Sequence, residues 1–507
     1  MQAFSGLDEE TTVKHTNTPY GLHWCRKALA AAALLFVAPP LLAQWGPPGE
    51  LDPSFAGTGK LTTDFYDRND RINAIDTMSD GRFVVAGVVV GPNVGGGYSD
   101  NFALARYLPD GRLDGSFGNN GLVMFDVSGN VDEAHSVKVL RDGSILAAGV
   151  IAPGAYSDFV LFKRRRDGSA DTSFGDDAPA GGRTGSVRLD VRGPSFHDEG
   201  RHFAVQSDGK IVMIGNTLVP NGNFNYRRVT AARFTADGRL DPGFGGSGTG
   251  YVVLGNQYAN NGQTSDYVTG IALDQRGNLW SDDTINITGY TDSANNAFVV
   301  RLTRDGLLDT TFGTLNNGVR SGSLLLTATN SGGVASGISE VRAGRIDAAG
   351  RLVLVGPGTD RGLAFLRRQR NGDADMSFGS NGRTLVKLSD SSRYDEPAAM
   401  ALQGNGKIVA SGYATQIVGS TPQKDFFVVR LDANGLVDVP FGDQGRKAVT
   451  VSTTTDESTS MAVDVWGNLV VAGYALRAGT AQTDFAILRV YGDPDRIFAD
   501  DYQVPAF

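Results

Sequence analysis

The chain has 507 residues, 67 of them glycine, with 41% hydrophobic and 20% charged residues and a formal net charge of −9. That acidic balance excludes the electrostatic footprint of a nucleic-acid binder and disfavours anionic membrane surfaces. The single cysteine, Cys25, excludes a disulfide framework.

Residues 1–43 stand apart from the rest. Arg26-Lys27 precede the apolar run ALAAAALLFVAPPLLA (28–43), which ends in small residues before Gln44. A positive region, a short apolar run and a small residue at the cut describe a secretory signal, here with a long polar lead of 25 residues. The run is shorter than the ~20 residues of a membrane span, and Pro39-Pro40 interrupt it; a retained anchor is the alternative. Export to the periplasm or the medium is therefore expected, with no membrane span and no thiol in the mature chain. Asp8, Glu9 and Glu10 balance Lys14, Arg26 and Lys27, so the net −9 survives cleavage. Residues 44–50 form a short lead containing Pro47-Pro48.

From Leu51 onward the chain repeats. The stretch LPDGRLDGSFG (108–118) recurs in varied form, marked by Phe55, Phe117, Phe174, Phe244, Phe312, Phe378 and Phe441, which lie 57 to 70 residues apart. A second motif reads DGRFVVAG (80–87), DGSILAAG (142–149), DGKIVMIG (208–215), GRLVLVG (350–356), GKIVASG (406–412) and GNLVVAG (467–473), with a stretched copy at 277–289. A third is an apolar run ending in a cation, at Arg106, Lys163, Arg233, Arg301, Arg367, Arg430 and Arg489.

Each unit reads as four short strands bounded by Gly, Asp and Asn; in the second unit these fall near 122–127, 134–140, 145–150 and 159–164. Runs such as VVAGVVV (84–90) are apolar on both sides, which suits strands buried on both faces. One small sheet cannot hide both apolar faces, but a closed ring of sheets can. The expectation is an all-β fold, a seven-bladed β-propeller of four-stranded antiparallel blades over residues 51–492. A β-helix is the structural rival, with coils generally shorter than about 60 residues. After Arg489 the pattern breaks, with Asp500 where a phenylalanine would stand. Residues 493–507 are read as a cap, a closing strand or a tail.

On these motifs, DGRLDGSFGNNG (110–121), SDGKIVMIG (207–215) and DFVLFKR (158–164), the chain resembles the delta-sixty repeat family of bacterial predicted β-propellers. The resemblance implies the fold and a bacterial origin, and it carries no general activity. The terminal DRIFADDYQ (495–503) is similar to short C-terminal tails of exported proteins in xanthomonad-like bacteria.

Spacing points to a functional face. From each cation to the next turn phenylalanine the distance is 11 residues, as in 106 to 117 and 301 to 312, and this constant stretch is read as the blade-to-blade connection. The other connections vary: 11 to 19 residues from the AG-type glycine to the cation, and 32 to 45 from the phenylalanine to that glycine. In an up-and-down blade these variable loops emerge on one face, where binding is expected.

Candidate chemistry is sparse. The recurring Asp110/Asp114 pair, repeated at 167/171, 237/241 and 305/309, offers hard oxygen ligands for calcium, but Asp and Asn alternate there as side-chain-capped turns do. The recurring cations either line a channel or make a repeated structural contact; their fixed register with the aspartates favours the contact. His197 and His202, in SFHDEGRH (195–202), lack a metal-ligand spacing and read as a solvated loop; His135 is the third mature histidine. No nucleophile elbow is supported around Ser247, and no carboxylate pair is preferred as a glycosidase dyad. Tyr290, Tyr413 and Tyr474 each follow an AG-type glycine directly and form the candidate ligand face, since aromatic rings stack on sugars or peptides; strand-end packing is the alternative.

The reading is an exported, non-enzymatic, monomeric binding or surface-interaction module, for an unknown protein, peptide or glycan, with no cofactor and no catalytic residue. A polymer-acting hydrolase or lyase and a structural envelope protein are the alternatives.

Overall fold

The computed structural model describes residues 46–93, 96–179, 181–255, 264–275, 283–292, 296–327, 337–388, 395–418 and 421–493. Residues 1–45, where a signal segment is expected, the stretched motif at 276–282 and the segment from 494 lie outside them.

Seven four-stranded antiparallel sheets follow one another along the chain. Blade two is typical: Asp132–Val139 innermost, then Ile145–Ile151, Asp158–Arg164 and, outermost, Ser186–Leu189. The innermost strands of successive blades touch all the way round, including Asp456–Val463 of blade seven against Asp70–Thr77 of blade one.

The apolar runs follow from this arrangement. Alternate residues of a middle strand face two different neighbours. Ile145, Ala147 and Ile151 pack with Val84, Phe102 and Phe117 of blade one, while Leu146 and Ala148 pack with Phe174, Ile211 and Met213 on the other side. Seven such cores fill the seven gaps between blades, and the last joins Val85 and Ala103 of blade one to Val470, Phe485 and Ile487 of blade seven. Burying each large side chain there contributes roughly 1.5–3 kcal/mol.

The AG-type glycine has a specific cause. The innermost strand carries a β-bulge, at 72/74 in blade one and 134/136 in blade two. The bulge swings a backbone carbonyl against the second strand. A Cβ on Gly149 would stand 1.9 Å from Glu133 O, one on Gly412 2.0 Å from Glu396 O and one on Gly473 1.9 Å from Glu457 O. Only glycine tolerates that approach.

Two features depart from the sequence reading. The unit boundary is offset by one strand: Leu122–Phe125 is not the first strand of its own unit but the outermost strand of blade one, paired with Tyr98–Tyr107. The constant 11-residue stretch therefore lies inside a blade, between third and outermost strands, and the blade-to-blade crossing is the loop that follows the outermost strand. This shift leaves the two variable loops on one face. Length variation is nonetheless not confined to that face. On the opposite, turn-bearing face, an insertion pairs Asp177 with Arg183 and a further hairpin pairs Leu315–Asn316 with Val319–Arg320.

Ring closure uses both chain ends. Lys60–Thr63 is the outermost strand of blade seven, paired with Thr483–Val490. The lead completes the seventh turn: Gly49 N–H donates to Tyr491 O at 2.7 Å, Tyr491 N–H to Glu50 O at 2.8 Å and Asp52 N–H to Arg489 O at 3.0 Å. These match the bonds of Gly111, Leu108 and Asp114 in an uninterrupted copy. PPGELDPSF (47–55) thus supplies what PDGRLDGSF (109–117) supplies elsewhere.

Candidate functional site

The turn face is built from one repeated contact. Each recurring cation pairs with the aspartate of its own turn, buried in five copies (Arg106–Asp114 at 2.8 Å, Arg233–Asp241 at 2.8 Å, Arg367–Asp375 at 2.6 Å, Arg430–Asp438 at 2.7 Å and, across the closure, Arg489–Asp52 at 2.7 Å) and partly buried at Lys163–Asp171, 3.2 Å, and Arg301–Asp309, 2.7 Å. The cation lies over the turn phenylalanine, Arg106 4.6 Å from the Phe117 centroid and Arg489 5.1 Å from that of Phe55. It also reaches the next blade, as Arg367 Nη1 does to Ala433 O at 2.6 Å and Arg233 Nη1 to Arg304 O at 2.8 Å. The residue after each phenylalanine, Ala56 after Phe55 and glycine elsewhere, donates to the next turn, Ala56 to Asp110 O, Gly118 to Asp167 O, Gly379 to Asn434 O, and Gly442 to Pro48 O in the lead. These cations line no channel. The aspartates act in turns, Asp114 Oδ1 accepting from Ser116 N and Oγ at 3.0 and 2.6 Å. Burial pushes the Asp114 carboxyl up, and Ser116, Arg82 and Arg106 more than reverse it, holding it well below the ordinary range.

At the other end of the innermost strands the same backbone position carries Arg71, Glu133, Glu199, Tyr267, Glu340, Glu396 and Glu457, the residues whose carbonyls meet the glycines. Five of seven are glutamates. Around the axis they make a chain of contacts from blade to blade. Arg71 pairs with Glu133 at 3.1 Å. Glu199 holds Arg201 at 2.8 Å and Arg227 at 2.9 Å, and Arg227 lies 5.4 Å from the Tyr267 ring. Tyr267 stacks on Tyr290 at 5.0 Å and 11°. Arg342 sits 5.7 Å from Tyr290 and pairs with Glu340 at 2.7 Å and Glu396 at 3.5 Å. Lys424 lies 4.3 Å from the Tyr413 ring and 2.7 Å from Glu457, which also takes a hydrogen bond from Tyr474.

The three sequence-chosen tyrosines all fall in this ring. Each pairs across the sheet with a ring residue, Tyr290 with Tyr267, Tyr413 with Glu396 and Tyr474 with Glu457. All three are half-buried. Burial raises the Tyr413 and Tyr474 hydroxyls, and Glu457 adds to the shift at Tyr474. The glutamates and Tyr267 were missed. A signal existed in the Asp-Glu pairs of VDEAHSV (131–137), HDEGRHF (197–203), YDEPAAM (394–400) and TDESTSM (455–461). The aspartate of each pair is buried and fastens the incoming loop: Asp132 Oδ2 accepts Val127 N at 2.6 Å, and Asp456 Oδ2 accepts Val451 N at 2.7 Å. Strand pleat sends the following glutamate the other way.

The histidines also differ from expectation. Residues 198–205 are an innermost strand, not a solvated loop. A cleft of about 520 Å³ opens between blades two and three on the variable-loop face, lined among others by Glu133, His135, Ser157, His197, Glu199 and Arg201. Burial holds the His135 imidazole well below its usual range, with Arg201, His202 and Arg71 adding to the effect, so His135 is neutral at pH 7. Its Nε2 is 3.7 Å from Glu133 Oε2. Ser157 N and Oγ lie 3.2 and 3.1 Å from His197 Nδ1. Burial pushes the Glu199 carboxyl up, and Arg227 and Arg201 more than offset it; burial leaves Glu396 raised, with Glu340 adding.

Among the described residues no helix is long and apolar enough to cross a membrane. A family model described as "Domain of unknown function (DUF5122) beta-propeller" matches residues 79–117, 206–244, 281–312 and 403–441. Each segment ends on a turn phenylalanine, so the match covers the same repeat four times. No curated protein matches the chain. Similar solved structures include Sqt1 of Chaetomium thermophilum bound to the N-terminus of ribosomal protein L10, at 10% identity over 83% of this chain and 97% of that one, TM-score 0.38. The polysaccharide lyase Uly1 aligns at 10% identity over 85% and 92%, TM-score 0.41. The GH43 endo-arabinanase from Bacillus licheniformis aligns at 12% identity over 59% and 94%, TM-score 0.28.

Proposed function

We propose that this chain, built on the DUF5122 propeller repeat, is an exported binding module that holds a polar ligand over the ring of glutamates, cations and tyrosines on its variable-loop face. The carrying observation is the division of labour at one repeated position. In all seven blades the backbone carbonyl there meets a glycine of the second strand, whereas the side chain is glutamate in five and arginine or tyrosine in the other two, and its partners change from blade to blade. A rigid annulus mixing tyrosine faces with paired charges suits a glycan or a peptide, which offers hydroxyls or amides and a face to stack. The ring glutamates are neutralised by arginine or lysine, which favours recognition over acid–base work.

The test is a glycan array and a peptide-binding screen with the mature chain, followed by Tyr413→Ala and Glu457→Gln. Binding is expected to fall at least tenfold in both variants with folding intact. A ligand whose affinity neither change alters would overturn the reading.

One observation favours a catalytic alternative. His135 beside Glu133, in a cleft with Glu199 and Arg201, places an imidazole next to carboxylates, the side-chain types a polymer-acting lyase or hydrolase draws on. Turnover of a uronate-containing or neutral polysaccharide, abolished by His135→Ala, would establish that alternative and displace the binding reading.

A further inference from the structure

The variable-loop face carries two groups of three aspartates at equivalent places in the repeat. Asp158, Asp190 and Asp198 meet between blades two and three, and Asp64, Asp70 and Asp484 between blades seven and one. In each group one aspartate begins the third strand, one follows the outermost strand and one begins the next innermost strand. One carboxylate oxygen from each lies within 4.8 Å of the other two. Asp70 and Asp198 are completely buried, and in each Oδ2 accepts a loop N–H, from Phe65 at 2.6 Å and from Val191 at 2.7 Å. Their Oδ1 atoms have no hydrogen-bond partner.

Protein cations do not balance these groups. Arg188 reaches Asp158 at 2.6 Å. Arg477 reaches Asp484 at 2.6 Å and Asp64 at 2.8 Å, and it pairs with Asp67 as well. Neither arginine forms an ion pair with the buried Asp198 or Asp70. One guanidinium therefore stands against three or four carboxylates, and the innermost oxygen of each group is unsatisfied. Leaving such an oxygen buried and unpaired destabilises the fold, more so when it is charged.

We propose that both triads are calcium sites. Calcium takes six to eight oxygens at about 2.3–2.6 Å, so oxygens on opposite sides of one ion stand about 4.6–5.2 Å apart; three oxygens within 4.8 Å of one another fit around one ion. Carboxylates on loops, with water completing the shell, suit calcium better than magnesium, which demands a near-ideal octahedron at about 2.0–2.1 Å. The ion replaces the solvent-side arginine contacts and satisfies the buried Oδ1. Asp158 and Asp198 directly adjoin Ser157 and His197 of the cleft, so an ion between blades two and three also fixes that wall. This last consequence rests on the binding reading; the sites themselves do not.

The junction of blades six and seven is an internal control. Its buried Asp456 likewise has an unpartnered Oδ1 and a nearby Asp425, but Thr450 stands where the third aspartate would be.

The experiment uses the full mature chain, stripped with chelator and titrated with calcium by calorimetry, and with terbium sensitised by Tyr156 and Tyr66, each two residues from a proposed ligand. Two ions per chain are expected, one per triad, with dissociation constants of about 10⁻⁴–10⁻³ M. Asp190→Asn and Asp64→Asn, on loops and not in the core, should each remove one ion, and Asp425→Asn should remove none. Asp158→Asn repeats the first test from a second position, with circular dichroism confirming the fold. No heat and no terbium emission at about 1 mM ion, a stoichiometry unchanged by Asp190→Asn and Asp64→Asn, or equal binding of magnesium would each overturn the proposal.

Discussion

The two faces of this ring solve opposite problems with the same repeat. On the turn face the side chains barely change: a cation, an aspartate eight residues later and a phenylalanine are spent on one another and on the next blade. On the variable-loop face the carbonyl that meets the second-strand glycine recurs in all seven blades, yet the side chain at that position is Arg71, Tyr267 or one of five glutamates. Side chains spent on structural contacts cannot change without cost to the fold. A face whose scaffold is fixed in backbone alone is free to vary its chemistry. Seven copies of the first hold seven versions of the second.

The largest way to break that contrast is to open the ring. Deleting residues 46–63 removes the lead, Phe55 and the outermost strand of blade seven, and bares the core shared with blade one. Thermal unfolding should lose cooperativity and the midpoint should drop by more than about 10 °C.

Next, the faces should differ in what a lost cation costs. Arg489→Ala strands buried Asp52 and should cost about 3–5 kcal/mol in urea unfolding. Arg342→Ala, an equally charged change at the partly exposed ring, should cost about 1 kcal/mol or less. Equal costs would erase the distinction.

Third, Asp266 is buried with both carboxylate oxygens lacking a hydrogen-bond partner, and Arg228 is 3.9 Å away. Burial pushes its carboxyl up to about 7, with Asp292 adding and Arg228 opposing. The folded value exceeds the unfolded value, so the folded state holds a proton that the unfolded chain releases. The stabilisation is complete below pH ~4 and is lost as the pH rises to about 7, a change on the order of 2–4 kcal/mol. Asp266→Asn should flatten that part of the stability-against-pH curve; an unchanged curve would show that Asp266 does not hold the proton.

Fourth, Gly412→Ala forces a Cβ to within 2.0 Å of Glu396 O and should cost about 1–3 kcal/mol while weakening any ligand held near Glu396. The smallest effect on stability belongs to Tyr413→Ala. Half-buried at the ring, it should change unfolding by about 1 kcal/mol or less, and its consequence should appear in binding alone.

The turn face was readable from sequence because it is written in side chains at constant spacing. Phe117, Asp114 and Arg106 recur because each needs the others, so their register survives in every copy. The closed ring followed from middle strands apolar on both sides. Three things were harder. The sheet boundary falls one strand away from the motif boundary, since hydrogen-bonded pairing leaves no mark on where a repeat appears to begin. The closing strand was hidden because the seventh turn is split between Arg489 and PPGELDPSF. The ring was overlooked because its position holds arginine, tyrosine or glutamate and is shared only in backbone; the Asp-Glu pairs at 132–133, 198–199, 395–396 and 456–457 were its one trace. Tyr290, Tyr413 and Tyr474 were found because the glycine beside them is invariant for a steric reason. Their place in the ring follows from the strand pairing, and a ligand role for them belongs to the proposal.

The most direct measurement sets the faces against each other in one binding experiment. Residues 44–507 unmodified, a loop-face variant (Tyr290→Ala, Tyr413→Ala, Tyr474→Ala) and a turn-face variant at exposed positions (Arg112→Ala, Arg239→Ala) are probed on the same glycan and peptide arrays, after matching their unfolding temperatures. Signals present for the unmodified chain should vanish with the loop-face changes and persist with the turn-face changes. Signals that survive the loss of all three tyrosines, or that disappear with Arg112 and Arg239, would contradict the assignment of recognition to the variable face.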